Sequence, residues 1–173
     1  MKILGIDPGY ERLGVAIIEK ATTGNRGTNK SSTKETVLYS SCFRTSAKDN
    51  MHKRLGEIGV EIARILKAYS PDALAIETLF ISTNQKTGMR VAEARGIIMY
   101  EAIKRKIPVF EYSPMQIKTA ITSDGTSDKT RMTKMVNLLV NIEASNPDGA
   151  QKTILDDEYD AIAVALTHSA ISR

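Results

Sequence analysis

Two short apolar runs, each ending on a carboxylate, constrain this chain more than any other feature. Ile3-Leu4-Gly5-Ile6 leads into Asp7 and is stopped by Pro8-Gly9, while Ala73-Leu74-Ala75-Ile76 leads into Glu77. Each reads as a buried strand that delivers one acid to its exposed end, where a turn begins. A carboxylate among isoleucines is costly to bury unless something cationic meets it, and a divalent metal is one such partner. Asp also commonly opens turns, so the first run alone leaves Asp7 as either turn residue or ligand.

The other segments fit around those two strands. Leu13 to Glu19 has strand composition, and its short link to the first run predicts an antiparallel hairpin. Ala21 to Lys34 holds no large apolar side chain and predicts a flexible hairpin tip, whose Arg26, Lys30 and Lys34 are solvated or touch DNA. A third strand follows from about Thr36 to Arg44. From Asn50 to Tyr69 apolar residues recur at helical spacing, and Ser70-Pro71 ends that helix because the residue before proline avoids helical geometry. Beyond Glu77, the polar Ser82–Lys86 segment leads to a long helix over Thr87–Lys106, where Gly96 suggests close approach by another backbone. Ile107–Tyr112 reads as a fifth strand. Ser113-Pro114 caps a short helix through Ile117 and Ile121. A polar loop over Thr122–Ser127 precedes a helix from Asp128 to about Ile142. Asn146-Pro147-Asp148-Gly149 is a turn, and the last helix begins near Asp157. Three antiparallel strands followed by strand–helix alternation predict an α/β fold, a five-stranded mixed sheet flanked by helices. With no repeat or linker in 173 residues, a single domain over 1–173 is expected.

Composition narrows the function. No apolar run approaches a membrane span, and the first residues lack a signal-peptide pattern, so a cytoplasmic location is expected. The lone cysteine, Cys42, excludes an intrachain disulfide and a Cys-based zinc site; its strand setting suggests a small core thiol. A formal charge of +4 favours a polyanionic partner. His52 at a helix start reads as exposed. His168 lies too far along the last helix to join the acids and reads as structural.

That last helix opens with Asp156-Asp157-Glu158-Tyr159-Asp160. Asp157 and Asp160 share a face, but so do Asp156 and Asp160, and spacing does not choose between them. Acids in a first turn also serve capping and the helix dipole. Taken with Asp7 and Glu77, however, they form an oxygen-only set that suits magnesium or manganese rather than zinc. Two such ions about 4 Å apart would activate a water and stabilise the leaving oxygen of a phosphodiester. The residues therefore read as a metal-dependent nuclease.

Gly5-Ile6-Asp7-Pro8-Gly9, Ala75-Ile76-Glu77, Phe80 with Asn84, Ala94-Arg95-Gly96, and Asp157 to Ala163 with Thr167-His168 resemble, in order, the signatures of the RuvC family. These are bacterial Holliday junction resolvases, or crossover junction endodeoxyribonucleases, and the resemblance covers nearly the whole chain. It implies a ribonuclease H-like fold and a homodimer that makes paired symmetric nicks in four-way DNA junctions during homologous recombination and DNA repair. It further implies Mg2+ as cofactor, with Mn2+ as a substitute and two ions per site. The catalytic, metal-binding carboxylates would be Asp7, Glu77, Asp157 and Asp160, which selects Asp157 over Asp156 and leaves Asp156 as an N-cap. DNA contacts would fall on Phe80, stacking on bases near the junction centre, on Asn84, and on Lys118 and Lys129 at the backbone near the cut. Arg95 would bind a phosphate or brace the long helix. RuvA/RuvB-type branch-migration proteins are implied partners. The chain departs from the family at Ser123, where a glycine is usual, at Asp124, which adds negative charge near the DNA path, and in the longer Ala21–Lys34 tip.

Three other readings compete. Arg12-Leu13-Gly14-Val15-Ala16 also resembles the YqgF-like nucleases of the same fold, which would act on structured RNA, although the Phe80 and Ala94-Arg95-Gly96 blocks favour the resolvases. A non-catalytic junction-binding module would not need four intact acids. Actin-like kinases open on a similar strand but need two such domains, for which this chain is too short.

Overall fold

The computed structural model describes residues 1–20, 34–79, 85–142 and 154–172. The elements run β1 (Lys2–Asp7), β2 (Arg12–Glu19), β3 (Glu35–Arg44), α1 (Met51–Tyr69), β4 (Ala73–Glu77), α2 (Gln85–Lys104), β5 (Val109–Tyr112), α3 (Pro114–Thr122), α4 (Lys129–Leu139), β6 (Val140–Asn141) and α5 (Asp156–Ile171). They build a mixed sheet in the order β5-β4-β1-β2-β3-β6. β1–β2 and β2–β3 are antiparallel, whereas β4 lies parallel to both β1 and β5.

The expected architecture is present with one more strand. Val140 does not continue the preceding helix; with Asn141 it lies parallel to Glu35 and Thr36 at the sheet edge. A β-branched residue with its side chain buried gains more from that edge than from a last helical turn. The long helix also starts two residues earlier than its periodicity suggests, and it stops two residues earlier because Lys106 turns through the left-handed region at φ 60°.

Helices cover both faces of the sheet, which is why its central strands are apolar throughout rather than alternating. Leu4, Ile6, Val15, Ile17, Leu74 and Ile76 pack against Ile58, Ile62 and Ile65 of α1 and Ala94, Ile98 and Ala102 of α2. Ile3, Ala16, Ile18 and Ala75 face α5, α3 and α4 on the other side. α5 lies over β1 and β2 at the middle of that second face, and two glycines permit its approach. A Cβ on Gly5 would sit 2.2 Å from the Ala161 carbonyl oxygen, and one on Gly14 would sit 2.1 Å from that of Asp157. Gly96, by contrast, has nothing within 4 Å of a built Cβ among the described residues.

The far end of α5 is fastened too. Lys20 Nζ donates to the Ser169 and Ser172 carbonyls at 2.7 and 2.5 Å, satisfying acceptors that a helix end leaves open. His168 is buried, with Nδ1 2.7 Å from the Tyr112 hydroxyl and its ring against Phe110. It packs α5 onto β5, the structural role expected of it. No described helix is long and apolar enough to cross a membrane. The segment 21–33, most of the predicted hairpin tip, lies outside the described residues, as does the Asn146–Gly149 turn.

Candidate active site

Parallel pairing of Ile6 with Ile76 sets the last residues of β1 and β4, Asp7 and Glu77, side by side at one end of the sheet. α5 brings its first turns over the same end. The Asp7–Gly14 and Gly14–Cys42 register pairs align three strands beneath Asp157, and the missing side chain at Gly14 makes room for its backbone.

The electrostatics tie these acids into one cluster. Burial, with repulsion from Asp160, Glu77 and Asp157 and a partial offset from Lys129, pushes the Asp7 carboxyl up to about 7. Burial and Asp160 raise Glu77, with Lys118 opposing. Burial also raises Asp160, and Lys129 only partly compensates. Asp157 behaves differently. Burial pushes it upward as well, but hydrogen bonds from Arg12 and Cys42 outweigh that push and hold it below the usual carboxylate range. Arg12 Nε donates to Asp157 Oδ2 at 2.9 Å, and the Cys42 thiol reaches the same oxygen at 3.4 Å. Cys42 is thus a half-buried neighbour of the acids and not the small core thiol expected.

The rest of the acidic run divides cleanly. Glu158 is buried and accepts from Ser40 Oγ at 2.6 Å and, more distantly, from the Leu155 amide at 3.4 Å. Asp156 is the first helical residue rather than the N-cap, which is Leu155; Asp156 instead meets Lys129 Nζ at 3.3 Å. The same Nζ lies 3.4 Å from Asp160. Desolvation opposes the Lys129 charge, but Asp160 and Asp156 outweigh it and raise the ammonium pKa.

Among the described residues no three of these side chains converge closely enough to hold one ion as they stand. Arg12 draws Asp157, and Lys129 draws Asp160, into ion pairs. The donor chemistry nevertheless fits a hard divalent cation: each of the four acids offers carboxylate oxygens, and three of the four are held above their ordinary range by burial and mutual repulsion.

The remaining predicted contacts divide by position. Phe80 and Asn84 lie outside the described residues. Lys118 and Lys129 line a cavity beside Glu77 and Asp160. Arg95 pairs with Glu111 of β5, and its side chain is only 14% exposed, which is the bracing arrangement. The Thr122–Ser127 loop is tied internally. Ser123 adopts φ 60°, the region glycine occupies freely. Asp124 accepts from the Thr126 amide and hydroxyl within the loop and pairs with Arg131 of α4. Arg12 entered the sequence reading only within the Arg12-Leu13-Gly14-Val15-Ala16 block; nothing there tied it to Asp157, which it meets in the fold.

Known proteins share this plan. The family model described as "Crossover junction endodeoxyribonuclease RuvC" matches residues 3–168. The chain is 42% identical to the protein of that name from Thermosipho melanesiensis, covering 95% of this chain and 94% of that one. Identity to the Caldicellulosiruptor saccharolyticus protein is 37%, covering 97% and 92%. Among solved structures, Thermus thermophilus RuvC superposes with a TM-score of 0.83 at 26% identity, covering 99% of this chain and 95% of that one. The same protein in complex with Holliday junction substrate matches at 0.83 and 27% identity, covering 100% and 95%. The chain belongs to the RuvC family of crossover junction endodeoxyribonucleases, and its sheet and helices are the ribonuclease H-like fold of that family.

Proposed function

We propose that this chain resolves four-way DNA junctions by paired, symmetric phosphodiester hydrolysis, with Asp7, Glu77, Asp157 and Asp160 as its catalytic carboxylates. The observation that carries this reading is the setting of Asp7. A carboxyl at the end of a buried strand, raised to about 7 chiefly by burial and then by three other acids, is a poor structural residue and a good cation site. The relative whose structure contains junction substrate, and the names of the curated relatives, supply the substrate class.

The four acids would hold Mg2+, with Mn2+ able to replace it and room by charge for two ions, which when bound neutralise the phosphate and make water more acidic. The chain's own residues do the rest. Arg12 keeps Asp157 ionised at neutral pH and fixes its orientation. Lys129 and Lys118 flank Asp160 and Glu77 and would transfer their charge to the DNA backbone as it arrives, which makes binding salt-sensitive. Phe80 and Asn84 follow Glu77 closely enough in sequence to meet bases near the crossover. Arg95 enters as the brace that sets α2 against β5.

Symmetric cutting needs two sites, so we assign a homodimer to match the two-fold junction. Met89, Tyr100 and Ile103 are exposed apolar residues on α2, and Gly96 falls on the same stripe at heptad-like spacing. That stripe is the contact we assign to the second copy. The whole of 1–173 acts as one domain in the cytoplasm, with RuvA/RuvB-type proteins as its branch-migration partners.

The direct test is a mobile junction labelled on each strand in turn, with Mg2+ or with chelator, beside Asp7→Asn. Wild type should make nicks at symmetric positions only with metal, and Asp7→Asn should bind without cutting. Equal cutting by the variant would remove Asp7 from the mechanism. Cleavage of structured RNA but of no DNA junction would replace the substrate.

A further inference from the structure

Beside the acids a cavity of about 250 Å³ runs into the interior between α3, α4 and α5. Glu77, Asp160, Lys118, Asp128 and Lys129 line it with charge, and its buried wall is apolar. Ile117, Met132 and Ala163 line it and are otherwise buried members of the core. Ser127, also buried, adds a hydroxyl to the wall, and its bond to Thr122 at 2.6 Å holds the loop that shapes the recess.

We infer that this recess receives the nucleobase of a nucleotide adjoining the scissile phosphate, and that Met132 and Ser127 set which bases enter. The inference rests on the junction-cleaving reading and adds a specificity subsite to it. The lining shares two of the four acids, so a phosphate held there leaves an attached nucleoside within reach of the recess. Pockets for whole drug-sized ligands begin near ~300 Å³, so this smaller one suits a single flat ring system. A thioether and branched aliphatic carbons favour the face of an aromatic ring, and methionine makes particularly good sulfur–aromatic contacts. The Ser127 hydroxyl, a donor with two acceptor positions, has capacity beyond Thr122 for the polar edge of a base. Base extrusion is least costly where stacking is already broken, as at a branch point. A base pocket would give a resolvase a preferred cutting sequence on top of its preferred DNA shape.

The test uses the full chain and a set of four-way junctions that differ only in the two nucleotides flanking the cut, with an abasic nucleotide among them. Relative cutting rates are compared for wild type, Met132→Phe and Met132→Ala. A ratio taken within one protein cancels any general loss of stability or activity, so a purely structural role would leave it unmoved. Wild type should discriminate among bases, and the abasic junction should be cut roughly ten-fold more slowly than the best base, the scale of a misfit in a shaped pocket. Met132→Phe should disfavour purines further, and Met132→Ala should flatten the preference. If Met132→Phe fails to give a cooperative melting curve, the flattening by Met132→Ala carries the test alone. Identical base ratios in every folded protein, or abasic junctions cut as fast as the best base, would overturn the inference while leaving the resolvase reading intact. Failure of wild type to cut any junction would overturn both.

Discussion

Asp7 holds a proton more tightly in the fold than in the open chain. Its carboxyl is raised from 3.8 to about 7, chiefly by burial. An acid shifted upward costs stability progressively as pH rises from about 4 to about 7, and the cost is constant above that. In chelator, Asp7→Asn should therefore be more stable than wild type at pH 8, by on the order of a few kcal/mol, and nearly equal to it near pH 4. Urea unfolding at the two pH values measures this; an Asn variant less stable at pH 8 would mean that the acids do not strain the fold. Ser123 is a second residue at odds with its backbone. It occupies φ 60°, so Ser123→Gly should raise the urea midpoint by the equivalent of roughly 0.5–1 kcal/mol. At this scale the sequence told much about acids and little about their partners. Asp7 and Glu77 were legible because a carboxylate ending an apolar run is chemically conspicuous. The pairing of Arg12 with Asp157 was not, because the two lie 145 residues apart and only the fold brings them together.

Among the elements, α5 depends most on what is missing beneath it. Gly14 admits the Asp157 carbonyl where a Cβ would lie 2.1 Å from its oxygen. Gly14→Ala should therefore lift the start of α5, costing about 3 kcal/mol of stability as overpacking does and slowing cleavage beyond what the stability loss explains. A cleavage assay at a temperature where the variant remains folded separates the two effects; wild-type rates there would show that α5 tolerates the shift. The order and type of the elements were readable from apolar periodicity, since strands buried on both faces and a helix such as α1 leave distinct patterns. Their edges were not. Val140 carries helical spacing, and only pairing with Glu35 across the sheet makes it a strand. Gly96 suggests a close approach by another backbone, yet among the described residues nothing lies within 4 Å of a Cβ built there, although the adjacent Ile97 does face Gly59 of α1.

For the whole molecule, the apolar stripe on α2 sets the expected assembly. Ile103→Glu should leave the melting temperature nearly unchanged, convert the proposed dimer to a monomer in sedimentation, and turn the proposed paired nicks into independent single ones. An unchanged mass would move the contact off this stripe. The acids also divide the molecule along the chain. Asp7 and Glu77 come from its first half, and Asp157 and Asp160 come from the helix that closes over β1 and β2. Lys20 meets the end of that helix across 149 residues of sequence. A ribosome adding ~5–20 residues per second needs roughly 7–30 s to span that distance. For that interval the nascent chain exposes an uncovered apolar sheet face and only half of its acids. If the four acids are the catalytic set proposed above, an unfinished copy could not cut DNA, and the nuclease would be assembled in the same step that completes the core.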